Sequence, residues 1–325
     1  MESRDIPRLD HAVSVIGLGT WQLGADWGDV EPGAARDTLE AAHCAGVTFF
    51  DTADVYGDGR SERFCAELRE HHPEVFIATK MGRRVDQRAE NYTAENFRAW
   101  NQRSRENLGL TPLPLVQLHC PPDGVYEDDA TFAALDAMVD DGLIAHYGVS
   151  VETCAQALVA IDRPHLASVQ IILNCFRLKP LEQVLPAALK AGVGIIVRVP
   201  LASGLLTGRY DASTRFGAHD HRNYNRRGEA FDVGETFAGV PFDVGLAAVQ
   251  ELRALVDPGS TLAQFALRWV IDQPGVSTVI PGARNPEQAT QNVSAAELAP
   301  LREEQLAGVR DVYDRLIREH VHDRW

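Results

Sequence analysis

The chain has 325 residues, 45% of them hydrophobic and 24% charged, with a formal net charge of -15. That hydrophobic share excludes a largely disordered chain, and the length suits one α/β barrel, which takes roughly 250 residues plus insertions. The acidic excess opposes binding to nucleic-acid phosphates, and no apolar run approaches the ~20 residues of a membrane-spanning helix, so neither nucleic acid nor membrane is an expected partner.

The first residues, Met1-Glu2-Ser3-Arg4-Asp5, lack a basic flank followed by an apolar stretch. Cys44, Cys65, Cys120, Cys154 and Cys175 are scattered, with no C-x-x-C pair. A cytoplasmic protein with buried, reduced thiols is therefore expected. Cys120 follows His119, but strand neighbours face opposite sides, so no Cys–His nucleophile is expected.

In chain order, short β-branched runs alternate with amphipathic stretches. Strands are predicted at Val13–Gly17, Thr48–Asp51, Val75–Thr79, Leu115–His119, Ile144–Ser150, Ala167–Ile172, Gly194–Val199 and Val276–Ile280. Helices are predicted at Ala34–Ala45, Ser61–Glu70, Thr93–Leu108, Asp129–Asp140, Thr153–Ile161, Leu181–Ala191 and Thr261–Gln273, with a further one after Pro286. This beat is the signature of parallel strands joined by crossover helices, and eight units predict a (β/α)8 TIM barrel formed as one domain over residues 1–325. From Asp211 to about Gly245 the period is lost. Loops beyond ~12–15 residues are usually functional, so 211–245 is read as a long loop at the barrel mouth. His219 and His221 within it lack a third ligand, so solvated loop histidines rather than a metal centre are expected.

Barrel enzymes place their reactive groups where strands end. Asp51 closes one predicted strand, Lys80 follows the next, His119 closes a third, and Tyr56 lies just after Asp51. Any one of them has a structural explanation. An acid, an amine, a phenol and an imidazole at successive strand ends converge on one mouth, and that convergence carries the inference.

Nearly the whole chain resembles the aldo-keto reductase superfamily. The matching segments are Gly17-Leu18-Gly19-Thr20-Trp21, Phe50-Asp51-Thr52-Ala53-Asp54-Val55-Tyr56-Gly57, Ala78-Thr79-Lys80, Gln117-Leu118-His119, Gly148-Val149-Ser150, Pro200 to Gly208, and Ile280-Pro281-Gly282-Ala283-Arg284 leading to Asn292. The resemblance implies an NADP(H)-dependent reductase of small carbonyl substrates, with Asp51, Tyr56, Lys80 and His119 as catalytic tetrad. A nearby ammonium favours phenolate, so Lys80 would ease proton donation by Tyr56, with Asp51 holding Lys80 and His119 orienting the carbonyl.

A Rossmann site is not supported. Gly17-x-Gly19 lacks its third glycine at Gln22, and Gly57-Asp58-Gly59 fails likewise at Glu62. The resemblance instead implies cofactor contacts at Gly19, Thr20, Trp21, Ser150, Gln170 and Arg198. Further contacts are implied in the loop of Pro200, Leu201, Ser203, Gly204 and Leu205, and along Gly282, Arg284, Gln288, Gln291 and Asn292. Arg284 would meet an adenosine 2′-phosphate, favouring NADP(H) over NAD(H). Two positions depart from the family pattern: Val151 replaces an asparagine often found after Ser150, and Arg198 stands where many members stack an aromatic. Arg198 is read either as an ion pair at the rim or as a cation near the nicotinamide. Trp21, Trp27 and Tyr92 are candidate substrate walls. Two other functions are weighed: a Schiff-base aldolase using Lys80, and a cofactor-binding regulatory subunit with little turnover.

Overall fold

The computed structural model describes residues 1–24, 30–218 and 220–325. Two strands come first, β1 (Ser3–Ile6) and β2 (His11–Ser14), paired antiparallel. Eight parallel strands follow: β3 (Leu18–Gly19), β4 (Phe49–Asp51), β5 (Phe76–Met81), β6 (Leu113–His119), β7 (Ile144–Ser150), β8 (Ser168–Ile172), β9 (Gly194–Arg198) and β10 (Val276–Val279). They pair in sequence order, and the ring closes through bridges between Ile16 and Val279 and between Gly19 and Gly282. The predicted barrel is the observed one.

One predicted strand is corrected. Val13–Gly17 is not the first barrel strand, because Val13 and Ser14 belong to the hairpin and the barrel begins at β3. The apolar run is shared between two jobs. Ile6, Leu9 and Val13 join Phe49, Phe76, Leu115, Ala167 and Ile196 in a core cluster inside the barrel, so the hairpin plugs the N-terminal end of the strands. Gly194 accommodates this plug, since a Cβ there would fall 2.7 Å from Ile6.

The outer helices form for local reasons. Thr153 and Thr261 cap Cys154–Ile161 and Leu262–Ile271 through reciprocal bonds with Gln156 and Gln264, satisfying free N–H groups of the first turn. Their apolar faces pack on the barrel's outer surface in the larger core cluster. Besides short helices of four or five residues, two longer helices without a predicted counterpart, Phe242–Arg253 and Glu303–Val312, lie late in the chain. The mouth segment therefore ends at Pro241, and it contains a short helix, His221–Tyr224, and 3₁₀ turns at Val233–Glu235 and Phe237–Gly239. Four cysteines are buried as expected, but Cys44 is exposed at a helix end.

Candidate active site

Asp51 ends β4, Lys80 lies near the end of β5, and His119 ends β6. Tyr56 lies in the turn between β4 and helix Arg60–His71, a turn tied back by Asp54 N–H donating to Lys80 O at 3.1 Å. The Lys80 ammonium pairs with Asp51 Oδ1, donates to Thr52 O at 2.9 Å, and reaches Tyr56 Oη at 3.5 Å. Asp51 Oδ2 accepts the side-chain amides of Gln117 (3.1 Å) and Gln170 (2.8 Å). The Tyr56 and His119 rings meet edge-on, with centroids 5.8 Å apart. The four residues named from sequence thus form one cluster.

Their ionisation follows from burial and charge. Burial pulls the Lys80 amine down, but Asp51 and Tyr56 together outweigh it and the pKa ends above the ordinary lysine value. Burial raises the Tyr56 phenol, and the Lys80 charge only partly opposes that rise. Burial, helped by the positive charges of Arg83, Lys80 and Arg198, holds His119 well below the ordinary imidazole value, so its ring is neutral. Nδ1 of that ring is buried without a hydrogen-bond partner among the described residues.

Asp51, Tyr56 and His119 open on a cleft of about 430 Å³, while Lys80 stays behind them. Gly19, Thr20, Trp21, Ser150, Gln170 and Arg198 line it, as do Pro200, Leu201, Ser203 and Gly204, and Gly282, Arg284, Gln288, Gln291 and Asn292. Leu205 is the exception among the expected contacts: its side chain is buried in the core and does not line the cleft. The last strand ends where a helix N-terminus opens. Asn285 Oδ1 accepts the Gln288 N–H at 2.9 Å, capping helix Pro286–Val293, and Asn292 Nδ2 donates to Gly282 O at 3.2 Å. Arg284 is exposed and makes no ion pair among the described residues. A Cβ on Gly282 would fall 2.0 Å from Gln22 Nε2, so a larger residue there would displace that side-chain amide.

Arg198 is both a cleft wall and an ion-pair partner. Its guanidinium donates to Glu152 Oε2 at 2.8 Å and to Val151 O at 3.0 Å, and lies 3.6 Å from Glu235 Oε1. Arg83 bridges the same two carboxylates, at 3.4 Å from Glu152 and 3.3 Å from Glu235. Two cations face two anions, so Arg198 does not present an uncompensated positive charge to the cleft. Val151, with its side chain fully buried, takes part only through its backbone.

The remaining sequence expectations divide. Trp21 stacks on Tyr56 at 6.1 Å and meets His221 (5.2 Å) and Phe231 (5.9 Å) from the mouth segment. His221 is therefore not a solvated loop histidine; it is buried, and desolvation pushes its pKa down to about 4. Tyr92 is not a cleft wall: it packs on Phe97 and Trp100 and donates to Gly82 O at 3.2 Å. Trp27 and His219 lie outside the described residues. Sequence reasoning missed Gln22, Gln117, Glu152 and Glu235. Gln117 had a signal, a polar side chain in the middle of an otherwise apolar strand, whereas Glu235 had none, since it comes from the segment without a period.

With cleft and cluster described, the likeness to known proteins is specific. Residues 15–314 match the Aldo/keto reductase family, and the chain belongs to that family of oxidoreductases. It is 35% identical over 298 residues to an uncharacterized oxidoreductase of Mycobacterium tuberculosis, covering 88% of this chain and 85% of the relative. It is 28% identical to a probable voltage-gated potassium channel subunit beta of Arabidopsis thaliana, with 93% of each chain covered. Among solved structures, the glycerol dehydrogenase of Gluconobacter oxydans superposes with a TM-score of 0.78 at 29% identity, covering 97% of this chain and 96% of that one. An aldo/keto reductase of Klebsiella pneumoniae, solved with NADP and acetate, shares the fold with a TM-score of 0.68 at 22% identity over 94% of this chain and 93% of that one.

Proposed function

We propose that the protein is an NADP(H)-dependent reductase of aldehydes or ketones, acting as one barrel domain, with Tyr56 as general acid. The observation that carries this reading is the Lys80 ammonium held between Asp51 and Tyr56 Oη beside an open cleft. Of the chemistry required, the bound cofactor supplies the hydride. The chain supplies everything else. The cleft fits a dinucleotide phosphate, because exposed Arg284 stands beside the N-terminal amides of helix Pro286–Val293, where an anion is favoured.

His119, kept neutral, offers one N–H. With Nδ1 buried, Nε2 is the atom that donates to a substrate carbonyl oxygen and fixes its direction. Tyr56 then passes its phenolic proton to that oxygen as the carbonyl carbon is reduced, leaving a phenolate beside Lys80 Nζ. Asp51, held by Gln117 and Gln170, keeps Lys80 charged and aimed. The same contacts speak against a Schiff-base aldolase, which needs a neutral amine open to substrate, whereas Lys80 is enclosed and its pKa is raised.

Tyr56→Phe is expected to bind NADPH almost as tightly as the wild type while carbonyl turnover falls by roughly 10²–10⁴, the usual range for a general acid. Near-normal turnover would refute the assignment. The potassium-channel relative supports a second reading, a cofactor-binding regulatory subunit with little turnover. Tight NADPH binding by the wild type with no turnover across aldehydes, ketones and sugars would favour that role over the reductase.

A further inference from the structure

At the opposite end of the barrel from the cleft, three chain segments bring metal-ligating groups together. His43 lies in the last turn of helix Pro32–Cys44, His72 caps the end of helix Arg60–His71, and Glu74 follows just before β5. One ligand atom from each of the three falls within 4.8 Å of the others. His43 Nε2 lies 3.3 Å from Glu74 Oε1, and His72 Nδ1 lies 4.0 Å from that same oxygen. Tetrahedral zinc, with bonds of about 2.0–2.2 Å, sets its ligand atoms roughly 3.3–3.5 Å apart. One edge already matches. The His72–Glu74 edge needs a side-chain movement of roughly half an ångström, and the His43–His72 edge closes from within 4.8 Å, movements open to side chains at the ends of two helices.

The surroundings supply a second, independent feature. His72 Nε2 lies 3.1 Å from both carboxylate oxygens of Glu40, one helical turn before His43 and Cys44. Metal-bound histidines characteristically donate their other ring N–H to a carboxylate, which fixes the tautomer and turns the free lone pair toward the metal. Glu40 does this for His72, leaving Nδ1 directed to the side of Glu74. Nδ1 of His43 is buried with no hydrogen-bond partner among the described residues. The nitrogen of His43 that faces Glu74 is Nε2.

Another group of suitable ligand atoms, Cys120, Glu152 and Glu235, borders the cleft. It carries the guanidinium groups of Arg83 and Arg198, which already supply the positive charge a metal ion would bring. Among the described residues no Arg or Lys pairs with the His43–His72–Glu74 group, and its imidazole-rich donor set suits zinc or a neighbouring transition ion rather than magnesium or calcium, which prefer oxygen.

We propose that His43, His72 and Glu74 form a binding site for a divalent transition-metal ion, zinc in the first instance, which clamps two outer helices to the start of β5 and is oriented by Glu40. The site is separate from the reductase centre, and its test does not depend on the reductase assignment.

The test titrates zinc chloride into the full-length protein by calorimetry, with magnesium chloride as control, and follows thermal unfolding with and without zinc. One zinc per chain should bind, and the midpoint of unfolding should rise. His43→Ala and His72→Ala should each abolish both effects, and Glu40→Gln should weaken binding by roughly 10–100-fold, the usual cost of losing an orienting partner. His72→Gln, closer in size, guards against misfolding; its zinc-free unfolding should match the wild type. Absence of zinc binding by the wild type at 100-fold molar excess, or undiminished binding in a His43→Ala/His72→Ala double variant, would overturn the proposal.

Discussion

Asp54 is a carboxyl whose chemistry departs far from its surface norm. It is fully buried two positions before Tyr56, and neither carboxyl oxygen has a hydrogen-bond partner among the described residues. Burial, reinforced by the charge of Glu62, raises its pKa from 3.8 to about 7. A carboxyl whose folded pKa lies above its unfolded value favours folding below about 3.8, and that contribution disappears as pH rises through about 7. Asp54→Asn removes the charge without changing the shape. Its stability in urea should match the wild type near pH 4 and exceed it by up to about 4 kcal/mol above pH 7, the linkage value of the shift. A stability difference that stays constant over this range would show that Asp54 is charged in the folded state throughout. Such a residue was legible in the chain only as part of the segment around Asp51 and Tyr56. That it is buried beside Glu62, with little to offset the desolvation, is a fact of packing.

At the level of elements, the turn that carries Tyr56 depends on contact between two glycines. Gly57 has a φ of 59°, and an ideal Cβ there would fall 1.9 Å from Gly24 O. Gly57→Ala must therefore move either this turn or the segment ending at Gly24. We expect a loss of more than about 2 kcal/mol in unfolding free energy, from a left-handed non-glycine residue and the displaced backbone together. Carbonyl turnover should fall at least tenfold, because Tyr56 Oη loses its position beside Lys80. An alanine variant with unchanged turnover would mean that the turn tolerates displacement. Elements with strong end signals were readable in advance: Thr153 and Thr261 announce their helices three residues ahead of a glutamine. Helix Phe242–Arg253 was not, since Pro241 and Gly245 read as loop residues. In the fold, Pro241 precedes the first turn and Gly245 lets Leu205 pack close, where a Cβ would meet Leu205 at 2.7 Å.

Across the whole molecule, Trp325 closes a circuit back to the mouth. The Trp325 Nε1–H donates to Asp232 at 2.9 Å, Arg177 lies 3.7 Å above its ring, and Gly239 packs so closely that a Cβ would fall 2.4 Å from the ring. Burial lowers the Arg177 pKa to about 10, with Asp232 opposing that fall. The segment held in this way also carries Glu235, which pairs with Arg83 and Arg198 at the cleft. Trp325→Ala should loosen residues 220–240 while leaving the barrel's cooperative unfolding nearly intact. Limited proteolysis should cut within that span at least ten times faster than in the wild type, and NADPH should protect less. Equal cleavage rates would show that the mouth segment is held without Trp325.

The chain alone determined the barrel and the clustering of four polar side chains, because both are written in short-range terms: apolar period sets strands and helices, and Asp51, Tyr56, Lys80 and His119 stand at or beside strand ends, which parallel topology brings to one mouth. Most of the other residues that line the cleft were named from the family resemblance, not from any period in the chain. Tertiary structure decided what depends on groups distant in sequence. The antiparallel hairpin takes Val13 away from the barrel ring because Ile6 and Leu9 need a partner inside it. Arg198 became an ion pair because Glu152 and Glu235 arrive from two different loops. His221 is buried against Trp21 rather than solvated, and His43 meets His72 only where two helices end side by side. No local pattern encodes those meetings, since each depends on how far the intervening chain folds before it returns.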